Sequence, residues 1–224
     1  MRVAIIMAGP YRGNEAILKN HLSLIGEYDT YVSCFEHYKA DWINSGWPIK
    51  GLYITPQIDF TQTDWFRYRN NEPGQSGFWQ FWNLRNVIRN MPNDYDFYIK
   101  NRCDLEFSEY NVNMELFKRN TIYSSAHNFH GDYWHKDNSI NDQFYIGDWN
   151  SINTISDFVT CFYKKNRHTL NEIGTFVGSN EAGLRLFLNE SEIKVEELNG
   201  IKYIKNYNKI HTPSGISGFQ LEKI

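Results

Sequence analysis

The chain opens on an uninterrupted apolar run, Val3 to Ala8, which stops at Gly9-Pro10-Tyr11-Arg12-Gly13. Strands buried on both faces read as such runs, so this pattern predicts a buried, parallel first strand followed by a turn. Asn14 can cap the helix that follows, where Ala16, Ile17, Leu18, His21, Leu22 and Ile25 fall near helical spacing. Asp29 to Phe35 and Gly51 to Thr55 read as the second and third strands, with a loop-like Glu36 to Lys50 between them. Asp59 to Gly77 is polar, aromatic and weakly periodic, the character of a functional or moving loop, and is a candidate lid. Phe78 to Arg89 returns to helical spacing through Phe81, Leu84, Val87 and Ile88, and Pro92 closes it.

From Tyr95 the period changes to two. Tyr95, Phe97 and Ile99 alternate with Asp96, Tyr98 and Lys100, and the run ends in Asn101, Arg102, Asp104 and Glu106. In open α/β sheets the carboxyl end of a strand faces the ligand crevice. Arg102 and Asp104, two apart in extended chain, point the same way, so one can meet a phosphate and the other a metal or hydroxyl. The equal alternative is an Arg–Asp surface pair that closes the strand.

Further on, Val112 to Lys118 reads as a short helix and Thr121 to Ser125 as a strand. His127, His130, Asp132, His135 and Asp137 fit no zinc spacing and read as a solvated loop. Asn141-Asp142-Gln143 leads into the apolar Phe144 to Ile146. Asp142 there is either a general base in a hydrogen-bonded setting or a turn former. Ser151 to Tyr163 and Asn180 to Leu188 are amphipathic helices, with Glu181 placed to suit the second one's N-terminus. Asn199-Gly200 between Ile193–Leu198 and Ile201–Ile204 is the strongest hairpin signal in the chain. A Gly- and Ser-containing tail from Tyr207 carries His211.

Composition adds limits. A length of 224 residues predicts one domain. The net charge of −3 carries no nucleic-acid footprint. The three cysteines, Cys34, Cys103 and Cys161, are odd in number and far apart, which argues for a reducing compartment. Val3–Ala8 is too short to serve as a leader or membrane span, so a soluble, cytoplasmic protein is expected. Aromatic residues make up 17% of the chain, many in polar company, as suits sugar or protein contacts.

With these pieces in order, the chain resembles small GT-A-type nucleotide-sugar glycosyltransferases of bacterial surface-polysaccharide clusters and large DNA viruses. The residues that carry the resemblance are Ala8-Gly9-Pro10-Tyr11-Arg12-Gly13, Gln80, Asn101-Arg102-Cys103-Asp104 and Asn141-Asp142-Gln143-Phe144. It implies a GT-A-like (Rossmann-like) α/β fold, a mixed, mainly parallel sheet flanked by helices. It further implies a donor half over 1–107, an acceptor half over 108–205 and a tail over 206–224. The implied activity is inverting transfer of a hexosyl or pentosyl group from a UDP-linked sugar to a hydroxyl of a glycan or glycoconjugate, in a bacterial or virus-infected cytoplasm. Ala8, Gly9, Pro10, Tyr11, Arg12, Gln80, Arg102 and Asp104 would hold the nucleotide sugar, Asp142 would be the base, and Gln143 and Glu181 would line the acceptor. A divalent cation, Mn or Mg, would sit on Asp104 and His211. The chain departs from the motif by carrying Arg102-Cys103-Asp104 in place of Asp-x-Asp: either Arg102 does part of the metal's work, or Asp104 alone holds the ion. Rival classes are a sugar-nucleotide nucleotidyltransferase, whose longer Gly-rich loop is missing here, and a non-catalytic carbohydrate binder.

Overall fold

The computed structural model describes residues 1–63, 75–125, 140, 143–165 and 180–205. Its first half runs β1 (Val3–Ala8), α1 (Glu15–Leu24), β2 (Asp29–Cys34), α2 (Lys39–Ile43), β3 (Ile49–Ile54), α3 (Gln75–Asn90) and β4 (Phe97–Lys100). Then come β5 (Leu105–Tyr110), β6 (Thr121–Ser125), β7 (Tyr145–Gly147), α4 (Trp149–Lys165), α5 (Asn180–Glu190), β8 (Lys194–Leu198) and β9 (Ile201–Lys205). Seven strands form one sheet in the order β3-β2-β1-β4-β7-β6-β8, while β5 and β9 make a separate two-stranded sheet. In the larger sheet β1 lies parallel to β2 and β4, β2 to β3, and β6 to β8; β7 alone runs against its neighbours. This is the mixed, mainly parallel α/β sheet the sequence predicts.

Strand alternation sorts the core onto two faces. Ala4, Ile6, Tyr31 and Tyr98 pack with Phe81, Leu84 and Val87 of α3, Ile155 and Phe158 of α4, and Leu184 of α5. Val3, Ile5, Met7, Val32, Phe97 and Ile99 pack with Leu18 of α1, Trp42 of α2, and Leu105, Phe107 and Tyr203 of the small sheet. Both faces of β1 are covered, which is why Val3–Ala8 is apolar throughout. Each such aliphatic side chain contributes about 1.5–3 kcal/mol on burial, so this packing holds the strand ends in place.

Some expectations change. The helix expected over Val112–Lys118 is only a turn at Met114–Leu116, begun by the Asn113 side chain accepting the Glu115 N–H at 3.1 Å. Phe117 leaves it in extended conformation to stack on Tyr123, ring centroids 3.9 Å apart, so packing overrides helix continuation. Glu36–Lys50, read as loop, contains a turn at Glu36–Tyr38 and all of α2. The buried Trp42 draws that segment in by donating its indole N–H to the Gly9 carbonyl at 2.9 Å. The Asn199-Gly200 hairpin does not form. β8 joins β6 in parallel and β9 joins β5 antiparallel, so the chain changes sheets at that turn. The Gly200 carbonyl accepts the Asn111 N–H at 2.7 Å, and this distant segment, not a two-residue loop, sets the pairing.

Candidate active site

The chain winds from β1 through α1 to β2 on one side, and returns from β3 through α3 to β4 on the other. The winding therefore reverses between β1 and β4. In such sheets the crevice opens beyond the carboxyl ends of the strands at that reversal. Two connections meet there, Gly9–Asn14 after β1 and Asn101–Asp104 after β4.

The first connection is shaped by Gly9 and Gly13. Gly9 takes φ +102°, a backbone region that favours glycine, and its N–H donates to the Ser33 carbonyl at 2.8 Å. Tyr11 packs edge-on against Trp42, centroids 5.2 Å apart. The Arg12 N–H donates to Cys103 Sγ at 3.1 Å, joining the two connections. A Cβ on Gly13 would lie 2.6 Å from the Cys103 carbonyl oxygen, so only glycine permits this approach. The Asn14 side chain accepts the Ile17 N–H at 3.0 Å and starts α1 where the sequence places its cap.

The second connection hangs on α1. Asn101 is fully buried: its N–H donates to the Ile6 carbonyl at 2.9 Å and its Oδ1 accepts the Arg102 N–H at 2.8 Å. Its amide nitrogen is 3.0 Å from Nδ1 of the buried His21, whose Nε2 is 2.5 Å from the Leu105 carbonyl. Burial pushes the His21 pKa down to about 4. A neutral imidazole has one N–H, so Nε2 donates to Leu105 and Nδ1 accepts from Asn101.

The charges follow from this scaffold. Arg102 grips Asp104 with both edges of its fork, Nε to Oδ1 at 2.8 Å and Nη2 to Oδ2 at 2.6 Å. Their side chains are 16% and 3% exposed, so a buried carboxylate holds a part-buried guanidinium and the pair is not a surface closure. Arg12 is half-buried; burial first, then the nearby positive charge of Arg102, holds its guanidinium below the usual arginine range, with Asp104 pulling the other way. Burial pushes the Cys103 thiol up to about 12, so it remains a thiol that braces the loops.

The structure thus brings together Ala8 through Arg12, Arg102 and Asp104. Gln80 lies on the other face, half-buried on α3, one turn before Asn83, whose Oδ1 accepts from Thr55 Oγ1 at 2.6 Å just past the end of β3. Gln143 is reached through its backbone: its carbonyl accepts from the buried Lys100 Nζ at 3.2 Å. That ammonium also stands 5.7 Å from the Tyr145 ring centroid. Asp142 and His211 lie outside the described residues, as do the Glu181 side chain, the 64–74 part of the expected lid and the loop carrying His127 to Asp137. Sequence reading named Asn101 only as part of the charged strand end, and missed His21, Lys100 and Trp42 as site-building residues. The available signal was a polar group at an inward position, His21 on the apolar stripe of α1 and Lys100 on a strand.

The resemblance implies a divalent cation on Asp104 and His211; His211 lies outside the described residues, and the Asp104 end does not fit one. Such an ion needs carboxylate oxygens turned toward it in negative surroundings. Both Asp104 oxygens are bound by Arg102, and the field of a second cation, Arg12, reaches the same place. Among the described residues, no group of three or more His, Cys, Asp and Glu side chains is arranged to hold a metal. No described helix is long and apolar enough to cross a membrane.

No family model and no curated protein matches the chain. Among similar solved structures is 4-diphosphocytidyl-2C-methyl-D-erythritol synthase from Anaerococcus prevotii, at 11% identity over 89% of this chain and 87% of that one, TM-score 0.44. Mouse xyloside xylosyltransferase 1 is similar at 12% identity over 88% and 84%, TM-score 0.45. Galactosyltransferase LgtC, in complex with donor and acceptor sugar analogues, is similar at 11% identity over 88% and 73%, TM-score 0.45. None of them lends a residue role to this chain.

Proposed function

We propose that the protein is a glycosyltransferase that moves a sugar from a UDP-linked donor to a hydroxyl of a glycan or glycoconjugate, with inversion. The observation that carries this reading is the Arg102–Asp104 fork beside Arg12, held beyond the carboxyl ends of β1 and β4. A fixed guanidinium at a strand end, with backbone of the first loop beside it, is the arrangement that receives a diphosphate. As the anomeric carbon–oxygen bond to that diphosphate breaks, negative charge grows on the departing oxygen, and preorganised cations stabilise it without rearranging. The acceptor oxygen forms the new bond from the opposite side, and its proton passes to the Asp142 carboxylate. In this reading Gln143 and Glu181 line the acceptor and Gln80 contacts the nucleotide sugar. The buried, free thiols of Cys34 and Cys103 suit a cytoplasmic setting.

Calorimetric titration with UDP, GDP and their sugars tests the reading, followed by transfer assays on Asp142→Asn. The expected result is saturable nucleotide binding retained in Asp142→Asn, with transfer abolished. Transfer at near-normal rate in that variant removes Asp142 as the base, and absence of nucleotide binding overturns the transferase.

A further inference from the structure

We infer that Arg12 and Arg102 hold the donor's diphosphate directly, with no metal ion between, and that Asp104 is a positioning residue that aims the Arg102 guanidinium. The inference rests on the glycosyltransferase reading and narrows how its donor is bound. Three features of the loops carry it. Arg102 is fixed at both ends, its backbone N–H by Asn101 Oδ1 at 2.8 Å and its fork by Asp104 at 2.8 and 2.6 Å, so the directions of its N–H groups are set before any ligand arrives. Arg12 is pinned by its own N–H to the residue next to Arg102, Cys103 Sγ at 3.1 Å, so the two cations belong to one braced unit. Third, Asp104 is 3% exposed and gives both oxygens to Arg102, the use of a carboxylate as a guanidinium orienter and not as an open metal ligand.

A dianionic diphosphate is complementary in charge to both guanidiniums. Planar forks match phosphate oxygens two at a time, which a hydrated point cation does not. The position where the resembled motif has its first acid holds Arg102, so the charge of this strand end has changed from cation-collecting to anion-collecting.

The test is titration calorimetry of the full chain with UDP, GDP and inorganic pyrophosphate, in EDTA and again in Mn²⁺. Nucleotide affinity is expected to agree between the two buffers within about threefold. Arg102→Met and Arg12→Met are each expected to weaken binding about tenfold or more in EDTA, the worth of a charge-assisted bond. Asp104→Asn is expected to weaken it equally in both buffers, with partial recovery in Asp104→Glu. Tightening of about tenfold or more by Mn²⁺ that Asp104→Asn abolishes makes Asp104 a metal ligand. That result overturns the inference and leaves the transferase standing. Absence of nucleotide binding in both buffers overturns both. The two-buffer comparison on the unaltered protein decides the point even if a variant fails to fold.

Discussion

The segment around β4 carries an Arg–Asp pair at each end, and the two pairs behave as different objects. At the amino end Arg2 meets Asp94 with side chains 55% and 57% exposed. Around it Lys50 bonds Asp29 at 2.6 Å, and the Tyr95 hydroxyl is 2.7 Å from that of Tyr31. At the carboxyl end Arg102 meets Asp104 with side chains 16% and 3% exposed. The residue types are the same, so water makes the difference. An exposed pair exchanges its partners for solvent at almost no cost, whereas a buried one cannot release either member. The exposed pair closes a strand at the sheet end where parallel strands offer no crevice. The buried pair stores a fixed cation where the winding reverses.

The largest effect follows from removing one carboxylate at each end. Asp104→Ala leaves the Arg102 charge part-buried without its fork partner and should cost about 3–5 kcal/mol of stability by urea denaturation. Asp94→Ala should leave the urea midpoint where it was. If the two variants lose equal stability, burial does not separate the pairs.

Titration separates the ends as well. His21 braces the Arg102 loop, and its pKa falls from 6.5 to about 4 in the fold, mainly by burial. Between those values the unfolded chain binds a proton that the folded chain does not, so stability falls as pH drops through the window. The loss amounts to about 3 kcal/mol by pH 4. At the other end hydrogen bonds from Arg2 hold Asp94 and Asp96 below their ordinary 3.8. Both carboxylates are exposed, so solvent screening leaves their contribution too small to move the Asp94→Ala midpoint, and the little there is goes only as pH falls below 3.8. Urea midpoints measured from pH 7 to 3 should therefore decline first through His21, and His21→Gln should flatten that first decline. Gly13→Ala is next in size: its Cβ meets the Cys103 carbonyl at 2.6 Å, and parting the two loops should cost about 1–3 kcal/mol and weaken nucleotide binding with it.

Local pattern made much of this frame legible. The apolar run at Val3–Ala8, the cap at Asn14 and the charged end of β4 are written in neighbouring residues, and each is where it was read. Whether Arg102–Asp104 was a surface closure or a site was undecidable there, because burial is conferred by α1 and the first loop, some ninety residues earlier. The same holds for His21 with Asn101 and for Trp42 with Gly9, pairs that only the sheet order brings together. Asn199-Gly200 has the right residues for a hairpin, yet β5 and β6 compete for the strands on either side and win them for separate sheets. Turn chemistry states that the chain bends, and long-range pairing decides what the bend connects.

The smallest expected effect is the sharpest check on the comparison. A double-mutant cycle on Arg2→Ala and Asp94→Ala should show no coupling in urea denaturation at physiological salt, because both side chains are more than half exposed and the pair is screened. The cycle is needed because Arg2→Ala alone also removes the guanidinium lying 4.6 Å from the Tyr95 ring centroid. Nucleotide affinity should be untouched in all three variants, since this pair sits at the far end of the strand from the crevice. A large coupling would mean that exposure does not separate the pairs, and a loss of nucleotide binding would mean that the two ends of β4 are linked through the strand. The site would then extend along its length instead of ending where β1 and β4 do.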